Sequence, residues 1–194
     1  MNLIVFDFDE TLGHFSQLYV IVDILKNYFD KRYYIFNKSD LFSILQIFKE
    51  VFRNQIFEVL NFLKSIKNAK IVIYTNNNAE NEWVDNIIEY MNIMVNRNIF
   101  SKTIHAYSID GVIIEEKRTT RSKTYNDLLN CLNLKSTNKV FFVDDQEHEI
   151  MYDDRVLYYN IKPYVYLFSW NDICERVLSS KYKYIIRDNV DFKS

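Results

Sequence analysis

The sequence predicts an α/β fold, a parallel sheet with helices on both faces. Two observations carry this. Short apolar runs at 3–6, 70–74 and 140–143 have the length and composition of strands buried on both faces. Segments with apolar residues at helical spacing separate them, and strands alternating with helices form parallel sheets. A third observation concerns use of the sheet. Each of the three runs ends in polar residues: Asp7, Asp9 and Thr11 after the first, Thr75 and Asn76 after the second, Asp144 and Asp145 after the third.

Taken in order, 3–6 is the first strand. Leu18, Ile21, Val22, Leu25 and Phe29 then mark a helix, and "RYYIF" at 32–36 reads as aromatic core packing. Ser39 is placed to cap a helix carrying Leu41, Ile44, Leu45 and Phe48, and a further helix carries Phe57, Leu60 and Leu63. After the second strand, Asn78 is placed to cap a helix with Trp83, Ile87, Ile88 and Met91. "KTIHAYSIDGVII" reads as two short strands around an Asp110-Gly111 turn, a strong hairpin signal. Ser122 precedes a helix with Leu128, Leu129 and Leu132. The third strand follows, then a strand in "VLYYNI", then a helix capped by Ser169.

The 194 residues suit one domain over 1–194, with room at 13–68 for a small helical cap or insertion. Net charge is −2, so no strong electrostatic pull toward nucleic acid or a membrane is expected. Cys131 and Cys174 are too few for a disulfide scaffold and read as packing residues. A reducing, cytoplasmic setting is expected. No apolar run nears the roughly 18 residues of a spanning helix. With two glycines and one proline, turns must use Asn and Asp, which tolerate left-handed backbone.

In an open parallel sheet, ligands bind beyond the carboxyl ends of the strands. If the three strands are neighbours, their polar endings meet there. Asp7, Asp9, Asp144 and Asp145 would then repel one another unless a cation joined them, and hard carboxylate oxygens suit Mg2+. Carboxylates sharing one cation should approach within about 6 Å. Each cluster alone is equally compatible with a capped or solvated turn.

Four segments in order carry a resemblance: "DFDET" at 7–11, "YTN" at 74–76, "SKTYNDLL" with Lys123, and "VFFVDD" at 140–145. They resemble the four motifs of the haloacid dehalogenase (HAD) superfamily. The resemblance implies a HAD-type, Rossmann-like fold. It also implies Asp7 as nucleophile, forming an aspartyl-phosphate, and Asp9 as general acid with its carbonyl at Mg2+. Thr11 would steady the turn. Thr75 and the amide of Asn76 would hold phosphate oxygens, Lys123 would neutralise them, and Asp145 would ligate the metal with Asp144 acting directly or through water. Lys117, Arg118 and Arg121 compete with Lys123 for its role. An acid at Asp9 points to phosphate-ester hydrolysis, although some phosphomutases share it.

The "DxDET" form, the hairpin and "VDD" followed by "NIKPY" are similar to the FCP/SCP (NLI-interacting-factor-like) group, whose members dephosphorylate Ser and Thr of proteins. The chain departs from that group in two ways. Residues 17–67 read as helices, and "YTNN" replaces a "TAS"-like run. The expected partner is a phosphorylated substrate, either phosphoprotein or small phosphate ester. The rival from another class is an inactive HAD-fold binding or regulatory protein. His14 reads as an incidental loop residue, His105 as structural and His148 as a surface residue near the metal end.

Overall fold

The structure, a computed structural model, describes residues 1–137 and 139–186. In chain order the elements are β1 (Asn2–Phe6), α1 (Ser16–Asp30), α2 (Lys38–Ile47), α3 (Ile56–Leu63), β2 (Ala69–Tyr74), α4 (Asn81–Met94), β3 (Phe100–Ile104), β4 (Ser108–Ile109), β5 (Val112–Ile113), α5 (Tyr125–Leu132), β6 (Val140–Asp144), β7 (Val156–Asn160) and α6 (Trp170–Leu178). Five strands form one sheet in the order β3-β2-β1-β6-β7, every pair parallel, so the α/β, Rossmann-like class expected from the sequence is the one observed. Among the described residues no helix is long and apolar enough to cross a membrane.

The chain divides into two compact units. The first, Met1–Gly13 with Arg53–Tyr164, contains the sheet. On one face, Leu3, Val5, Val72, Tyr74, Val140 and Phe142 pack with Leu128, Leu129 and Cys131 of α5. The alternate residues Ile4, Phe6, Ile71 and Ile73 are buried on the other. The chain leaves β1 for β2 and β3 in one direction, then returns past β1 to β6 and β7.

The second unit comprises His14–Phe52 and the described residues from Val165 onward. In this division α3 belongs with the sheet unit, and α6 with α1 and α2. Asp40, buried, is the reason these distant segments belong together. It accepts hydrogen bonds from Tyr34 Oη (2.9 Å), Tyr182 Oη (3.1 Å) and Lys181 Nζ (3.1 Å). Phe29 stacks on Tyr182 at 5.3 Å.

Several local expectations are corrected. "KTI" is part of β3 in the main sheet, and the hairpin is only β4 and β5. Its turn has Asp110 at φ 49° and Gly111 at φ 82°, as a two-residue hairpin requires. In "RYYIF" only Tyr34 and Phe36 pack on Phe29, while Tyr33 and Ile35 are exposed. The cap of α2 is Asn37, which exchanges hydrogen bonds with Asp40 in a capping box, so Ser39 is already inside the helix. Thr124, not Ser122, caps α5, and Glu80, not Asn78, precedes α4. Ser169 does cap α6.

Candidate active site

Backbone pairing brings the polar endings together. The register sets Phe6 opposite both Ile73 and Val143, so the residues after β1, β2 and β6 are neighbours. The ladder extends one step further: Asp7 N donates to Val143 O (2.9 Å) and Thr75 N to Ile104 O (3.0 Å). The crossover direction reverses between β1 and β6, which is where open sheets of this kind form a crevice.

Asp7 and Asp144 are buried, and the buried Lys123 ammonium donates to both, to Asp7 Oδ1 and to Asp144 Oδ2 (2.7 Å). Lys123 stands just before α5. Its neighbour Thr124 is held by N–H donation to the Tyr74 hydroxyl at the end of β2 (3.2 Å), and burial pushes that hydroxyl up to about 12. Asp144 Oδ1 accepts from Gln146 N (2.9 Å), and Asp145 Oδ1 accepts from Thr11 Oγ1 (3.1 Å). One oxygen each from Asp7, Asp144 and Asp145 lie within 4.8 Å of one another, inside the separation anticipated for a shared cation.

The electrostatics follow from sharing one lysine between two buried acids. Burial raises Asp7 from 3.8 to about 7, with Lys123 opposing and Asp144 adding to the rise. Burial acts on Asp144 too, but His148, Lys123 and the Gln146 amide outweigh it and hold that carboxyl below its ordinary value. Three carboxylates converge on one ammonium, so the cluster is short of positive charge whenever all three are ionised. Closely spaced hard oxygens with that deficit fit a small divalent cation such as Mg2+.

The chain must turn sharply to carry Asp9 and Thr11 out of β1. The turn is made at Glu10, whose φ is 52° although it is not glycine. Leu12 N donates to Phe8 O (2.9 Å) and Glu10 N to Gly13 O (2.8 Å). Arg53 then clamps the loop, donating to Thr11 O (2.6 Å), Glu10 O (2.6 Å) and Lys162 O (2.8 Å). Asp9 Oδ2 accepts from Asn77 Nδ2 (2.7 Å), and Asn77 N donates to Thr75 Oγ1 (2.9 Å). With a lone pair of Thr75 so occupied, its hydroxyl proton is available to another acceptor.

Arg118, one of the cations competing with Lys123, has a different place. It is 2% exposed, and its guanidinium donates to Thr75 O (3.2 Å), His105 O (2.8 Å), Asn76 Oδ1 (2.8 Å), Arg121 O (2.8 Å) and Ser122 O (3.3 Å). It ties the 75–76 loop to the segment leading into Lys123. His148 is no surface residue. Its side chain is 13% exposed, and Nε2 lies 3.3 Å from Asp144 Oδ2 without hydrogen-bond alignment. His14 is buried in the second unit, paired with Tyr166 O (2.8 Å) and Ser16 Oγ (2.9 Å). The sequence offered no role for Arg53 or Asn77, offered Arg118 only as a competitor of Lys123, and placed His148 on the surface near the metal end. Nothing in "EEKRTTRSK" or in a run of three asparagines marks one member.

No protein-family model matches the chain, and no curated protein matches it. Among solved structures, the chain is similar to a phosphoserine phosphohydrolase-like protein from Francisella tularensis subsp. tularensis SCHU S4. The identity is 15%, the TM-score 0.45, and the alignment covers 100% of this chain and 93% of that one.

Proposed function

We propose that the protein is a Mg2+-dependent phosphomonoester hydrolase acting through an aspartyl-phosphate on Asp7. The observation that carries this reading is the buried Lys123 bonded to both Asp7 and Asp144, with Asp145 completing a cluster within 4.8 Å at the strand ends. A structural ion pair needs neither the third carboxylate nor a position at the crevice.

Asp7, Asp144 and Asp145 would hold the cation, with the Asp9 carbonyl. Asp145 is favoured as a direct ligand and Asp144 through water, because Lys123 and Gln146 already use both Asp144 oxygens. Bound Mg2+ supplies positive charge to the transferring phosphoryl oxygens. An Asp7 oxygen bonds to phosphorus as the bond from phosphorus to the leaving oxygen breaks, and Asp9 gives that oxygen its proton. Asp9 then takes a proton from water, which attacks phosphorus and releases Asp7. Lys123 and the Thr75 hydroxyl, with the Asn76 amide, face the charge that develops on the phosphoryl oxygens.

A Ser/Thr phosphoprotein substrate rests on the resemblance to the FCP/SCP group. A small phosphate ester is the second reading, favoured by one observation: 16–47 holds α1 and α2 and no hairpin. The deciding experiment is hydrolysis of an aryl phosphate with Mg2+, with EDTA and with Asp7→Asn. Turnover is expected only for the wild type with Mg2+. Turnover no greater than that of Asp7→Asn would favour an inactive binding or regulatory protein. A panel of phosphopeptides and phosphorylated metabolites then separates the two substrate readings.

A further inference from the structure

Asn77 is held by three hydrogen bonds that connect two halves of the site. Its backbone N–H donates to Thr75 Oγ1 (2.9 Å), its Oδ1 accepts from Ala79 N (2.9 Å), and its Nδ2 donates to Asp9 Oδ2 (2.7 Å). The orientation of the side-chain amide is not arbitrary. A backbone N–H can only donate, so the amide atom facing Ala79 must be the oxygen and the atom facing Asp9 must be the NH2. Oδ2 of Asp9 is therefore committed as an acceptor.

We propose that Asn77 is a positioning residue for proton transfer to the leaving group. It orients the Asp9 carboxyl and ties that orientation to the Thr75 loop. The inference rests on the phosphatase reading above. Asp9 stands on the turn after β1, 68 residues from Asn77, at a loop whose reversal is made by a left-handed Glu10. An amide donor that is itself fixed at Thr75 and Ala79 restricts the rotation of that carboxyl. Effective general-acid catalysis needs that alignment with the leaving oxygen.

The role has a signature that a structural role lacks. An aryl phosphate with a weakly basic leaving group departs with little protonation, whereas an alkyl phosphate cannot leave well without it. Two variants remove the donor, Asn77→Ala and Asn77→Ser, the second keeping a hydroxyl that can accept from Ala79 N. The measurement is kcat/KM with Mg2+ for p-nitrophenyl phosphate and for a primary alkyl phosphate, which reports the steps through formation of the aspartyl-phosphate. Both variants should lower the alkyl-to-aryl ratio of kcat/KM by about 10-fold to 100-fold, a fraction of the full effect of a general acid. Equal losses on both substrates, or no loss, in a variant with wild-type circular dichroism would overturn the inference and leave the phosphatase reading standing. A wild type that hydrolyses neither substrate would remove that reading, and this inference with it.

Discussion

Replacing Asp7 by asparagine removes a buried ionisable carboxyl while keeping the size of the side chain beside Lys123. Burial raises the Asp7 carboxyl from 3.8 to about 7, so the folded protein retains a proton that the unfolded chain releases. The sign follows from linkage. The contribution to stability is fully present below pH 3.8, declines as pH rises, and is lost once pH passes about 7. At about 1.36 kcal/mol per pH unit, the wild type without metal loses up to about 4 kcal/mol between these limits. Asparagine has no such proton to lose, but it leaves Lys123 with one counter-charge fewer. In EDTA, Asp7→Asn should therefore gain about 1–3 kcal/mol on the wild type between pH about 5 and pH about 8. Urea unfolding followed by tryptophan fluorescence measures this, since Trp83 is buried in α4 of the sheet unit. Adding Mg2+ at pH about 8 should narrow or reverse the difference, because a ligand at 100 times its Kd stabilises the wild type by about 2.7 kcal/mol. A difference that does not change with pH, or a variant that loses stability relative to the wild type as pH rises, would refute the reasoning.

Arg118→Met removes the donor to five acceptors, and the urea midpoint should fall by the equivalent of about 3–5 kcal/mol; a loss under about 1 kcal/mol would show the clamp to be dispensable. At Glu10, a valine in left-handed backbone should cost about 1–2 kcal/mol more than a glycine, read as the difference between the thermal midpoints of Glu10→Val and Glu10→Gly. A thiol-reactive dye at pH about 8 should label the half-buried Cys174 in the native protein. Cys131, buried and with its thiol pushed up to about 11, should react only after unfolding, checked by peptide mass mapping.

The readable features share a property: the signal and its cause lie within a few residues. The apolar run 3–6 reads as a strand buried on both faces because successive side chains of a strand point to opposite faces, and Leu3, Ile4, Val5 and Phe6 are all buried. Asp110-Gly111 must turn because both residues accept positive φ. Asn and Asp do replace glycine at left-handed positions, at Asn68, Asn96, Asp110 and Asn133. The same locality explains the misplaced caps. Ser39 is a good capping residue by type, but the reciprocal bond between Asn37 and Asp40 starts α2 two residues earlier.

Pairings across the chain were not readable. In a linear sequence Arg53 and Asn77 look like any solvated polar side chain, and Arg118 like one of several cations near Lys123. They acquire roles only when the sheet order β2-β1-β6 brings carbonyls and carboxylates from elsewhere within about 3 Å. Likewise, the contrast between Asp7, raised to about 7, and Asp144, held low, comes from how one buried lysine and a few N–H donors divide between two acids. The strands and their polar endings follow from local chemistry that the chain carries wherever it is. The charge state and orientation of those endings depend on burial and distance, and these exist only once the chain is folded.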